Sequence, residues 1–175
     1  MEGMVAKWYT TTTSKSLDEF AKLARRIATE LPRGGKVLEV APGPGYFCIE
    51  LAKLGAYSIT GLDISHTFVE IAGKKAGDTG VRVDFRQGNA SGMPFATDTF
   101  DFLLCRAAFK NFGQPVRAFE EMCRVLKPGG RGLIIDLRKD ASMESINHEV
   151  DGMGLGTINK ILTKLTCRTF LLKTA

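Results

Sequence analysis

The stretch from Lys36 to Gly55, KVLEVAPGPGYFCIELAKLG, sets a short apolar run directly before a proline- and glycine-rich turn and then a second apolar segment. Val37, Leu38 and Val40 are too close together for one stripe of a helix and read as a strand buried on both faces. Tyr46 to Leu54, closing at Gly55, has helical spacing. A strand, a tight turn and a helix in that order need a further strand to pack against, and this most limits the available folds.

That unit recurs. The pattern predicts strands over Ser58–Asp63, Val81–Arg86, Phe100–Cys105 and Gly132–Asp136, with helices from Ser65 to about Ala76 and from Pro115 to Leu126. Upstream, SLDEFAKLARRIATEL places Leu17, Phe20, Ala24, Ile27 and Leu31 on one helical face, and Ser16 and Glu19 have the spacing of a capping box. Strands separated by helical crossovers pair in parallel, because a parallel return needs about a dozen residues lying on one face of the sheet. The expected fold is α/β, a three-layer αβα sandwich around a Rossmann-like, doubly wound parallel sheet.

A length of 175 residues with 44% hydrophobic content suits one domain with a sizeable core. We divide it into an N-terminal lid and helix (1–35), a core (36–136) and a helical C-terminal segment (137–175), with the Thr10–Thr13 run as a flexible entry. No apolar run approaches the roughly 18 residues of a membrane span, and residues 1–16 lack the pattern of a secretory signal, so a cytoplasmic location is expected. The net charge of +5 comes from Lys and Arg spread over several elements, and no nucleic-acid partner is expected. Cys48, Cys105, Cys123 and Cys167 are scattered and read as buried thiols. With only His66 and His148 besides, no metal site is expected.

In a doubly wound sheet, ligands bind beyond the carboxyl ends of the strands where the winding reverses, which is where the turn Ala41–Gly45 falls. Gly43 and Gly45 lack side chains, so backbone there can approach a ligand. Asp63 ends the next strand, placed to accept hydrogen bonds from both hydroxyls of a ribose. A nucleoside cofactor follows. A dinucleotide fits poorly, since the third glycine of its fingerprint is replaced by Cys48.

Four motifs in order, EVAPGPG, GLDIS, QGNASGMPFATDTFDFLLC and FEEMCRVLKPGG, resemble those of class I S-adenosylmethionine-dependent methyltransferases, specifically the branch with ubiquinone- and menaquinone-biosynthesis-type enzymes. The resemblance covers Lys36 to Asp136. It implies that Glu39 and the turn Ala41, Pro42, Gly43 and Gly45 hold the methionine part of S-adenosyl-L-methionine, with S-adenosyl-L-homocysteine as product. Asp63 would hold the ribose and Ile64 one face of the adenine. Asn89 would accept from the adenine amine, and the Ala90 N–H would serve a ring nitrogen. Cys105 and Arg106, with Ala107 and Ala108, would line the carboxylate and amino end, although Arg106 equally suits a helix-pairing role.

Ala41 stands where this family carries its first motif glycine. It is harmless if its φ is negative and costs about 1 kcal/mol or more if the left-handed region is needed. FKNF (Phe109–Phe112) replaces a segment that often holds histidine in relatives, so no catalytic base is named; Lys110 and Asn111 remain to orient a substrate. His66 suits either a substrate contact or a local cap, and Tyr9 either a lid over the cofactor or an anchor for the first helix.

The expected function is methyl transfer to a small or medium organic acceptor; the rival is a non-catalytic cofactor-binding or interaction module of the same fold. The family's closing antiparallel hairpin is not legible after Asp136. This predicts a truncated sheet whose edge strand Gly132–Asp136 is shielded by self-association or by docking of the C-terminal helices.

Overall fold

The computed structural model describes residues 1–14, 17–55, 57–136 and 168–173. The order of elements is α1 (Gly3–Thr13), α2 (Leu17–Ala28), β1 (Lys36–Val40), α3 (Tyr46–Lys53), β2 (Ser58–Asp63), α4 (His66–Asp78), β3 (Asp84–Gln87), β4 (Phe100–Arg106), a 3₁₀ turn (Phe109–Asn111), α5 (Pro115–Val125), β5 (Leu126–Asp136) and β6 (Arg168–Lys173). They build one six-stranded sheet in the order β3-β2-β1-β4-β5-β6. The first five strands pair in parallel, as the crossovers require.

The strand alternation sorts the apolar side chains into two cores. Val37, Ile59, Phe102 and Leu104 face Phe20, Ala24 and Ile27 of α2 and Phe47 and Leu51 of α3. Leu38, Val40, Leu62 and Leu103 face Met122 and Val125 of α5 on the other side. Helices therefore flank both faces. Cys48 and Cys105 are buried and Cys123 is partly buried, whereas Cys167 and His148 lie outside the described residues, as does the Ser16 half of the expected capping box.

Long-range polar contacts fix the loops to the sheet. Asp101 accepts the Lys36 N–H at 2.8 Å and the Lys127 ammonium at 2.7 Å, tying together the starts of β1, β4 and β5. Arg124 and Glu121 pair through two bonds of 2.6 and 2.8 Å. Arg124 also donates to the Met93 and Phe95 carbonyls and Glu121 accepts the Met93 N–H, so the loop before β4 is held against α5.

Two expectations are corrected. The Thr10–Thr13 run belongs to α1 and is not a loose entry: the Thr10 hydroxyl donates back to the Ala6 carbonyl and the Thr13 hydroxyl to that of Tyr9, while Ala6 is fully buried. Residues 168–173, read as part of a helix, form β6, which runs antiparallel to β5 with Asp136 opposite Arg168 and Arg131 opposite Lys173. Gly132–Ile135 is consequently paired on both sides: the C-terminal segment covers the edge, as one of the two alternatives expected, but as a strand and not as helices. β6 is a single antiparallel strand; a closing hairpin is absent among the described residues.

Gly45 has φ +77°, and a Cβ there would come within 2.7 Å of Phe85 and 2.9 Å of Ala72. Its missing side chain lets α3 and α4 pack over β3. We expect Gly45→Ala to lower the free energy of unfolding in urea by about 2–4 kcal/mol, from overpacking plus left-handed strain. Gly129→Ala, with φ +76° but open space around it, should cost only about 1 kcal/mol.

Candidate functional site

The sheet reverses its winding at β1, which has β2 on one side and β4 on the other. Beyond the carboxyl ends of β1 and β2 lies a cavity of about 320 Å³, within the usual range for small-molecule sites. Val40, Ala41, Leu62 and Ile64 form its floor and one wall; Gly88 to Ser91 and Asn111 to Gln114 form the others. Of the residues assigned from sequence, Ala41, Ile64, Asn89, Ala90 and Asn111 meet here. The wall from Phe112 to Gln114 was missed, because the loop after β4 has no periodic signal and reaches the cavity only through the fold.

Asp63, the last residue of β2, is 5% exposed and is not itself part of the cavity lining, which its neighbours Leu62 and Ile64 join. One carboxylate oxygen accepts the Gly43 N–H at 3.0 Å, the other the Ser65 N–H at 2.9 Å. Burial raises its pKa above the ordinary carboxylate value, opposed by these two bonds. Each oxygen keeps a second lone pair for a ligand. Ile64, the next residue, is 64% exposed although it follows a buried strand, and offers a flat apolar surface to the cavity. Asn89 folds its side-chain oxygen onto the Ser91 N–H at 2.9 Å, so the amide braces the turn that forms the opposite wall.

The turn between β1 and α3 resolves the open question at Ala41: its φ is +57°, in the left-handed region. The Ala41 N–H donates to the Leu62 carbonyl at 2.8 Å, which holds the strained residue in place. Above the turn, the Tyr9 ring lies 3.8 Å from where a Gly43 Cβ would stand and packs edge-on against Phe68 at 5.9 Å. Tyr46 donates its hydroxyl to the Thr10 carbonyl at 2.9 Å. α1 thus lies across the turn.

Other assigned residues stand apart from the cavity. Cys105 is fully buried among Leu38, Met122 and Ile134, and burial pushes its thiol pKa up, so its side chain is core and not cavity wall. Arg106 turns to α2, 4.5 Å over the Phe20 ring and 3.4 Å from Glu19, the helix-pairing alternative. Lys110 is held 2.6 Å from Asp136 at the end of β5. His66 opens α4 with its ring 3.7 Å from Glu70 in solvent. Glu39 points beneath the turn, 3% exposed, where the Cys48 thiol donates to it at 2.9 Å. Cys48, at the position of the missing third glycine, packs α3 on β1 through this bond.

A doubly wound sheet with an acid ending β2 and a cavity between the turns after β1 and β3 defines a nucleoside-cofactor enzyme fold. More narrowly, this chain belongs to the class I S-adenosylmethionine-dependent methyltransferases: the methyltransferase domain family matches it from residue 38 to 134. It is 35% identical over 108 residues to the demethylmenaquinone methyltransferase of Deinococcus radiodurans, covering 61% of this chain and 45% of that protein. Identity is 36% over 116 residues to that of Chlorobaculum parvum, covering 66% and 46%. The chain spans about half the length of these curated relatives.

Among solved structures, an S-adenosyl-L-methionine-dependent methyltransferase from Methanococcus maripaludis superimposes with a TM-score of 0.74 over 97% of this chain and 92% of that one. At 23% identity this is a likeness of fold. The [4+2]-cyclase SpnF, 29% identical, matches with a TM-score of 0.63 over 70% of this chain and 48% of its own.

Two predictions follow from the strained and buried groups. Ala41→Gly should raise stability by about 1 kcal/mol in urea unfolding, since it relieves left-handed strain. Burial raises the Glu39 pKa from 4.5 to about 7, partly offset by the Cys48 bond. Its contribution to stability is complete below pH 4.5 and is lost as the pH rises through about 7. Glu39→Gln should flatten this slope, so that from acid to alkaline pH its stability relative to the parent improves by on the order of 3 kcal/mol.

Proposed function

We propose that this chain binds S-adenosyl-L-methionine in the cavity beyond β1 and β2 and transfers its methyl group to a small or medium organic acceptor, releasing S-adenosyl-L-homocysteine. The observation that carries the reading is the convergence of Ala41, Ile64 and the Asn89–Ser91 turn on one cavity, with Asp63 next to Ile64 at the end of β2. The spare lone pairs of Asp63 suit two ribose hydroxyls, and the exposed face of Ile64 suits a flat adenine, with the Asn89 turn opposite it. The backbone of Ala41 to Gly45 borders the remaining cofactor, with α1 across it.

The cofactor supplies a methyl group already activated on a sulfonium, so the protein has chiefly to align and to exclude water. Ile64 and Phe112 form apolar walls, and Tyr9 covers the turn. Among the described residues, those lining the cavity carry no titratable side chain. This suits an acceptor whose nucleophile ionises readily itself, as a hydroquinone-type ring does. The curated relatives are named for demethylmenaquinone and for ubiquinone and menaquinone biosynthesis, which supports a quinone-type ring as the acceptor of this chain.

The absence of a base from the cavity wall among the described residues and the strained Ala41 also suit the second reading, a non-catalytic binding module. Calorimetric titration with S-adenosyl-L-methionine tests binding, and transfer of tritiated methyl to a demethylated quinol tests chemistry. Ile64→Ala should weaken cofactor binding about five- to tenfold, the loss expected for a partly buried apolar contact, while unfolding in urea stays unchanged because Ile64 is exposed without ligand. Unchanged affinity in this variant would remove the adenine from this wall. Binding without transfer to any quinol would favour the second reading.

A further inference from the structure

We propose that Arg117 is a positioning residue for S-adenosyl-L-methionine, on the reading that this cavity is the cofactor site: by holding Ser91 it joins two cavity walls and so sets how tightly the cofactor is bound. These walls, Gly88 to Ser91 and Asn111 to Gln114, come from different loops. The Ser91 hydroxyl donates to the Gln114 carbonyl at 3.2 Å, and the Arg117 Nε–H donates to the Ser91 carbonyl at 3.0 Å. Gln114 directly precedes α5, and its carbonyl also accepts the Ala118 N–H at 3.0 Å. Ser91 is thereby tied to the first turn of that helix.

The span from Gly88 to Gly92 is braced from within. The Asn89 side-chain oxygen accepts the Ser91 N–H at 2.9 Å and the Asn89 carbonyl accepts the Gly92 N–H at 3.1 Å, which closes the turn on itself. Its near end is fixed by backbone: the Gly88 N–H donates to the Asp63 carbonyl at 2.8 Å, and a Cβ at Gly88 would come within 2.6 Å of Leu62. Its far end leans on the Arg117 side chain. With Gly88 fixed, the place of Ser91 decides where Asn89 and Ala90 stand in the wall.

Along α5, Arg117, Glu121 and Arg124 follow at i, i+4 and i+7, each one residue before the buried stripe of Ala118, Met122 and Val125. All three reach the same loop. Glu121 accepts the Met93 N–H at 2.6 Å, and Arg124 donates to the Phe95 and Met93 carbonyls at 2.8 and 3.2 Å. Met93 and Phe95 lie outside the cavity lining and Ser91 belongs to it, so within this row it is Arg117 whose bond ends on the cavity. Electrostatics single out the same residue. Arg117 stands in the first turn of α5, which holds no acidic residue and where the helix dipole disfavours a cation. Its charge-assisted bond to the Ser91 carbonyl offsets that placement. Without this bond the turn holds its binding position only part of the time, and the apparent affinity falls by that fraction.

Arg117→Met keeps the apolar stem of the side chain and removes the donor, and Arg117→Lys restores a donor. In calorimetric titration with S-adenosyl-L-homocysteine, Arg117→Met should bind about three- to tenfold more weakly than the parent, the factor carried by one hydrogen bond of ordinary net strength, and Arg117→Lys should recover part of the loss. Deuterium exchange without ligand should quicken in Arg117→Met far more at the Ser91 and Gly92 amides than along β1 and β2. Unchanged affinity in Arg117→Met, with or without faster exchange at the turn, would overturn the proposal. A weaker affinity accompanied by exchange quickened equally along β1 and β2 would overturn it too, since that is a loss of the whole fold. A parent chain that binds no S-adenosyl-L-homocysteine would remove the cofactor from the cavity and the positioning role with it, whereas a parent that binds, matched by Arg117→Met, removes the positioning role alone.

Discussion

The hydrogen bond from the Gly43 N–H to the Asp63 carboxylate, 3.0 Å long and buried, joins the turn after β1 to the end of β2. Twenty residues separate the two in sequence, and the parallel register of β1 on β2, with Val40 opposite Leu62, brings them together. A buried carboxylate with no hydrogen bonds would be costly; here two backbone donors satisfy it and fix the direction of its remaining lone pairs. The start of α4 at Ser65 and the bend of the turn are thus set by one side chain, beside Ile64 of the cavity wall.

The turn itself combines freedom and strain. Gly45 is needed because Phe85 and Ala72 leave no room for a Cβ, so the glycine that sequence reasoning attributes to a ligand is required by helix packing. Ala41 holds a left-handed conformation that glycine would adopt without strain, and its N–H bond to Leu62 keeps it there. Strain of this kind gathers where a backbone is shaped for a ligand. Beneath the turn, the Cys48–Glu39 bond replaces the close approach that a third glycine would allow, and it does so with a carboxyl that titrates near neutrality.

α1 links the site to the outside. Its inner face covers the turn through Tyr9 and Thr10, and Glu2 caps the start of α4 from a distant part of the chain, supplying the acceptor that helix N-terminal N–H groups lack. Its outer side carries the exposed Met4, Val5, Lys7 and Trp8. The same short helix thereby covers the turn after β1 and holds the start of α4.

Hydrophobic period and turn chemistry were enough to read the five parallel strands, the helices between them, and the turn Ala41–Gly45 and Asp63 at one end of the sheet, while Ile64 and Asn89 were assigned only through the motif resemblance. These are local signals, carried by neighbours in sequence. Pairings between distant segments left no such trace. The sequence shows Arg106, Lys110 and His66 as charged groups near the motifs, but only the packed structure turns them toward Glu19, Asp136 and Glu70. The strand character of Arg168–Lys173 is likewise decided by the open hydrogen-bonding edge of β5, because β propensity depends on the neighbour a strand finds. The chain's own residues thus determine the αβ alternation and the class of cofactor. The φ of Ala41, the packing need at Gly45 and the covered edge come from the tertiary structure, since each depends on atoms that meet only after the sheet has formed.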